Sequence, residues 1–117
     1  MFEAEDIREW RGHNVVDESG TKIGELEALY VDTRTDEYSF ATVKTGMLSR
    51  SRLVFVPTVG AKVGPGYLKV AFSKKRVRDA PSIHTDGELL AGDEPAVFRH
   101  YEMLYDAGET ERLLARR

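Results

Sequence analysis

Between Gly12 and Pro57 the chain reads GHNVVDESGTKIGELEALYVDTRTDEYSFATVKTGMLSRSRLVFVP, a succession of short β-forming runs separated by turns rich in glycine, aspartate and serine. That rhythm points to a small, sharply turned sheet rather than a helical bundle. Its last run sets the tightest condition. In Arg52 to Val56, Leu53 and Phe55 face opposite to Val54 and Val56, so the strand is apolar on both sides. A barrel strand has one inward face, and its outer face needs a separate cover. The second half of the chain has to supply it.

The remaining elements follow from turn chemistry and periodicity. Asp6 can cap a helical turn that places Ile7 and Trp10 on one face and ends at Gly12. His13 to Val16 is a first strand, and Asp17-Glu18-Ser19-Gly20 reverses the chain with glycine at the left-handed position. From Ile23 to Asp32, Glu25 and Glu27 alternate against Gly24, Leu26 and Ala28 before Leu29, Tyr30 and Val31 become continuously apolar. This change predicts a bulge or two-sided burial near Ala28, as a sheet coiling into a barrel requires. Tyr38 to Thr45 alternates as a strand, Gly46 to Ser51 is a loop, and Gly60 to Gly66 is a glycine-rich link. Tyr67 to Phe72 is the last strand expected, with Leu68, Val70 and Phe72 pointing one way.

Two helices are predicted beyond it. Ser73 caps a short one through Val77, stopped by Asp79-Ala80-Pro81. Asp93-Glu94-Pro95 starts another, expected over residues 93–105, with Val97, Tyr101 and Leu104 at helical spacing and Phe98 and Tyr105 beside them. A helix this short is held by tertiary contact, and the outward side of the Val54 and Phe55 strand is the place for it. One domain over residues 1–107 is expected, because 117 residues make a single core that buries roughly 65% of the extended chain's surface. Residues 108–117 form a tail with a helical turn around Leu113 and Leu114 and a frayed Arg116-Arg117 end.

Searching for chemistry yields no coherent set. His13, His84 and His100 lack the spacing that puts two ligands on one helical face, and the absence of cysteine removes thiolate sites and disulfides. The segment VGAKVGPGY lacks the Gly-Lys-Ser/Thr of a phosphate loop, and no serine sits in a nucleophile elbow. Paired acids fall in turns or at a helix start, where conformation alone favours them. No catalytic, cofactor-binding or metal-ligating residue is therefore expected, and no enzyme. The acidic start MFEAEDIREW carries no export signal, and no run of roughly 18 apolar residues could span a bilayer, so the cytoplasm is the expected address.

The opening Gly12, then Val15-Val16-Asp17, Gly20, Ile23-Gly24, Tyr30-Val31-Asp32, Val43 before Gly46, and Val56-Pro57 together resemble the PRC-barrel domain family. This is the small barrel of the photosynthetic reaction-centre H subunit and of a ribosome maturation factor. The segments FSKKRVRDAPSI and ELLAGDEPAVFRHYEMLY, with His100-Tyr101, are similar to its small stand-alone bacterial members. The resemblance implies a mainly β fold, a PRC-type barrel with a short C-terminal helix packed on its outside. It further implies a non-enzymatic adaptor or protein-interaction module, without cofactor and with an unknown protein partner.

Two sets of residues are candidates for contact. Met47 and Leu48 put apolar side chains in a loop, and Phe98, Tyr101 and Tyr105 make an aromatic helix face; a homodimer through such a surface is the expected form. Lys69, Lys74, Lys75, Arg76 and Arg78 form a basic segment that could meet an anion. The alternative function it suggests is an RNA- or ribosome-associated factor. A net charge of -3 makes nucleic acid the lesser expectation.

Overall fold

A computed structural model describes residues 12–46, 51–83, 93–103 and 114–116. Strands β1 (Asn14–Val16), β2 (Lys22–Asp32), β3 (Glu37–Thr45), β4 (Arg52–Pro57), β5 (Lys62–Gly64) and β6 (Tyr67–Lys69) precede helix α1 (Lys74–Arg78). Strand β7 (Ser82–Ile83), helix α2 (Glu94–His100) and strand β8 (Leu114–Arg116) follow. The ladders run β5-β6-β1-β2-β3-β4-β7, with β8 on β2. Only β1 and β6 pair in parallel among the described residues. Strand β2 is the spine. Its Lys22–Glu25 portion takes β1, its Tyr30–Asp32 portion takes β8, and β3 pairs along the opposite edge.

The expected irregularity near Ala28 is present in both of its forms. The β2–β3 register shifts between Leu26 and Ala28 and again between Tyr30 and Val31, and every residue from Ala28 to Val31 is buried. Each bulge adds twist, which coils the sheet. The coil also brings backbones close. A Cβ on Gly24 would lie 2.2 Å from the Lys44 carbonyl oxygen and 2.8 Å from a Val43 methyl. Glycine is required there because the obstacle is a strand backbone.

Register divides the side chains of the central strands between two faces. Ala28, Thr42 and Phe55 stand in one row, with Tyr30, Phe40 and Pro57 in the next row on that face. Leu29, Ala41 and Val56, and Leu26, Val43 and Val54, occupy the other. Leu53, Val54, Phe55 and Val56 are all buried, so the two-sided strand has found its second cover. That cover is α2: the Phe98 ring lies 5.1 Å from Phe40, and Tyr101 packs against Phe40 and Phe72 at 6.4 and 4.9 Å. Helix α1 packs on β2 and β4 and buries Val77. As expected, its N-terminus is capped by Ser73, whose hydroxyl accepts from the Arg76 N–H at 3.2 Å.

Several elements depart from the sequence reading: β6 ends at Lys69 rather than Phe72, and β7 adds a strand beyond the last one expected. The link from Gly60 to Gly66 contains β5, which pairs with β6 across a Pro65-Gly66 turn whose Gly66 has φ of 76°. Proline followed by a glycine at positive φ makes a type II turn, and that dipeptide was the available signal. Helix α2 stops at His100, short of the expected 105. Met103 N–H bonds the Phe98 carbonyl and Glu102 N–H bonds the Arg99 carbonyl, closing the helix with Glu102 at φ of 57°. Finally, Leu114 belongs to a strand rather than a helical turn, and Arg116 is tied down by its ladder to Tyr30. The edge of β2 left open beyond β1 accepts it. The expected helical turn at Asp6, Ile7 and Trp10 lies outside the described residues.

Replacing Gly24 with alanine should destabilise the fold by about 1–3 kcal/mol, since neither the β3 carbonyl nor the Val43 methyl can withdraw without shifting the sheet. Urea unfolding of the variant beside the native chain measures this. An unchanged midpoint would contradict the close approach.

Candidate interaction surface

The aromatic helix face, a candidate for contact that its spacing also suits to the core, is turned inward. Phe98 and Tyr101 are 3% and 4% exposed, so they belong to the core instead of a docking surface. The Tyr101 hydroxyl donates to the Phe55 carbonyl, which lies just beyond the Leu53–Val54 stretch that β7 pairs. Helix α2 thereby completes the hydrogen bonding at the end of the sheet as well as its packing. Burial pushes the Tyr101 phenol well above its ordinary pKa, so it remains a neutral donor. Met47, Leu48 and Tyr105 lie outside the described residues.

The basic segment is dispersed by the fold. Lys69 lies on β6, opposite Val16 and Lys62, while the other cations lie on α1. Arg76 is committed to the interior joint between the helices. Its guanidinium donates to the His100 carbonyl at 3.1 Å and to Glu102 at 3.3 Å, and it lies over Phe72 and Tyr101 at 5.6 and 5.8 Å from their centroids. In return the His100 ring meets the Arg76 carbonyl through Nε2 at 2.6 Å. A carbonyl only accepts, so Nε2 carries the proton. Lys75 pairs with Asp79 at 3.9 Å, and Arg52 donates to the Arg78 carbonyl. Of the five cations, Arg76 is the one whose guanidinium is taken up by contacts between the helices.

Several acids that sequence reasoning assigned to turns or to an alternating face turn out to join elements. Asp17 Oδ1 accepts from Ser19 Oγ, Thr21 N–H and Ser19 N–H at 2.7, 2.9 and 3.0 Å, while Oδ2 accepts from Lys74 N–H at 3.3 Å. One carboxylate closes the β1–β2 turn and anchors α1. The Ser19 hydroxyl foremost, with the backbone donors, holds this carboxyl below the usual aspartate range against the opposing effect of desolvation. Glu27, at the first bulge, accepts from Thr42 Oγ1 at 2.7 Å and holds both Arg116 nitrogens, Nη1 at 2.7 Å. Glu94 is fully buried and accepts the Leu114 N–H at 3.1 Å. The Glu27–Arg116 contact spans 89 residues of sequence, and no local pattern could have announced it.

Among the described residues, the large apolar side chains that remain exposed are Val59, Val63 and Tyr67, at 63%, 49% and 38%. They fall on the turn into β5 and on the β5–β6 hairpin. Val63 stands opposite the buried Leu68, so it continues a core-facing row yet is half open to solvent. The reason is positional, because β5 ends the sheet and has no neighbour on its outer edge among the described residues.

With the order of strands and these joints established, comparison with known families is direct: the model of the PRC-barrel domain matches residues 2–77. The chain belongs to the PRC-barrel family. A search of curated proteins finds no match. The family match ends inside α1, so the clasp of α1 on α2 and the addition of β8 extend this PRC barrel beyond the matched segment. No helix among the described residues is long and apolar enough to cross a membrane. No group of three or more potential metal ligands is assembled among them.

Two measurements check the joints. Tyr101→Phe leaves the Phe55 carbonyl without its donor and should cost about 1–3 kcal/mol in chemical denaturation, with the cooperativity of unfolding retained. For Asp17, the folded carboxyl has the lower pKa, so its contribution is full above the unfolded value of about 4 and is lost as pH falls through the folded one. Asp17→Asn should therefore be less stable than the native chain at neutral pH, and the gap should narrow below about pH 4. A gap independent of pH would show that the carboxylate charge is immaterial.

Proposed function

We propose that this PRC barrel is a non-catalytic protein-interaction module that associates with itself or with a protein partner. The observation that carries the reading is how its side chains are distributed. Asp17, Glu27, Arg76, Glu94, His100 and Tyr101 all serve bonds between elements, whereas exposed apolar area gathers at the end of the sheet around β5. Groups that might do chemistry are engaged in holding the barrel, and the open surface is of the kind that proteins cover. The RNA- or ribosome-associated alternative draws on Lys69, Lys74, Lys75, Arg76 and Arg78. The engagement of Arg76 between the two helices weighs against it.

Multi-angle light scattering of the purified chain, with and without Met47→Ser and Leu48→Ser, tests self-association through the loop. Native dimers that the double substitution shifts toward monomer are the expected result. If both proteins are monomers and form the same complexes with purified partners, the loop is not the contact. Absence of any saturable, stoichiometric protein complex, with itself or another chain, would overturn the module reading.

A further inference from the structure

The outer face of the sheet near its β5 end carries a row that is invisible along the chain. Lys62 on β5 stands opposite Lys69 on β6, Lys69 opposite Val16 on β1, and Val16 opposite Lys22 on β2. Three lysines thus share one line across four strands spaced about 4.8 Å apart. The ion pairs Asp32–Arg34, Lys75–Asp79, Arg76–Glu102 and Glu27–Arg116 lie elsewhere. Among the described residues none of these lysines is paired with a carboxylate. Like charges directly opposite in a ladder disfavour it, so Lys62 and Lys69 are placed against the interest of their own hairpin. On the reverse face of the same edge is Val63, half exposed where a core-facing row stops.

We propose that the outer edge of β5, which has no neighbour among the described residues, binds an extended acidic segment of a partner protein by adding it as a further strand. In a strand laid along β5, the residue opposite Lys62 points to the lysine face and its neighbours point to the Val63 face. A segment alternating acidic and apolar residues answers both faces at once. Its carboxylate relieves the Lys62–Lys69 opposition, and its apolar side chain covers Val63. Lysine on a strand edge also discourages pairing with a like edge, which makes a second copy a poor occupant here and an acidic strand a good one. A nucleic-acid phosphate would suit the lysines but would leave Val63 uncovered. This inference rests on the interaction-module reading and gives that module a site and a partner chemistry.

The test is fluorescence anisotropy of a short, capped, labelled peptide alternating glutamate and valine, added to the full chain. Comparison probes are the same composition with the glutamates in one block, a lysine–valine alternate, and an oligouridine. The alternating acidic peptide should bind saturably and more weakly as salt rises. Lys62→Glu with Lys69→Glu should weaken it about ten-fold or more, and Val63→Ser several-fold. Lys62→Glu alone should also weaken binding several-fold while leaving the melting temperature at or above the native value, since the opposed charges become complementary. Loss of binding without loss of stability would then exclude misfolding as the cause. Equal binding of the block peptide, tighter binding of oligouridine, or indifference to both the lysine and Val63 substitutions would overturn the proposal. Should purified partners still bind the lysine double variant as they bind the native chain, the edge assignment fails and the module reading stands. A native chain that forms no protein complex would instead remove the reading beneath it.

Discussion

Burial of β4 on both faces is the constraint on which the rest of the molecule depends. Phe55 and Val54 each need apolar neighbours, and one coiled sheet can enclose only one of them. The chain resolves this by laying α2 over the face that carries Phe40 and Phe55, where Phe98 and Tyr101 complete an aromatic layer. The Tyr101 hydroxyl then takes the strand carbonyl that β7 is too short to reach. Packing and hydrogen bonding are satisfied by the same side chain. A helix of seven residues would not persist alone, so its existence and the burial of β4 are one event.

Holding the elements together uses Asp17, Glu27, Arg76, Glu94 and His100, polar side chains of the kinds that carry function elsewhere. Arg76 and His100 exchange bonds with each other's backbone and join α1 to α2. Asp17 joins the first turn to α1, Glu94 joins α2 to β8, and Glu27 joins the bulge of β2 to Arg116. Buried or half-buried charges of this kind are stable only with partners, and here the partners come from distant parts of the chain. Among the described residues the barrel is therefore chemically engaged within, and its exposed apolar side chains lie at its β5 end. That asymmetry is what supports reading it as a module that holds other proteins.

Legibility in the sequence followed the range of each interaction. Strands β2, β3 and β4, the bulge near Ala28 and the Ser73 cap were readable because alternation, β-branching and capping act within a few residues. The need for a cover on β4 was readable for the same reason. Strand β5 was missed because three residues among glycines are too few to alternate convincingly, although Pro65-Gly66 marked the turn. Strand β8 was missed because LeuAlaArg has no strand character of its own; it is drawn to the stretch of β2 that β1 leaves open. The candidate site was the least legible. The helical spacing of Phe98 and Tyr101 favoured a core over an interface, and they are core, whereas the ladder that places Lys69 in line with Lys62 and Lys22 left no mark in the sequence.

By itself the sequence determined that this protein is a turned, mainly β domain of PRC-barrel type with a strand that must be covered twice. Those properties reside in local patterns and in the order of turn residues, which survive in a linear chain. Only the tertiary structure decided which groups are exhausted by the fold and which remain available. Whether Arg76 faces an anion or clasps a helix depends on where His100 and Glu102 arrive. Whether Lys62, Lys69 and Lys22 act together depends on strand register, because residues far apart in sequence become neighbours only when ladders form.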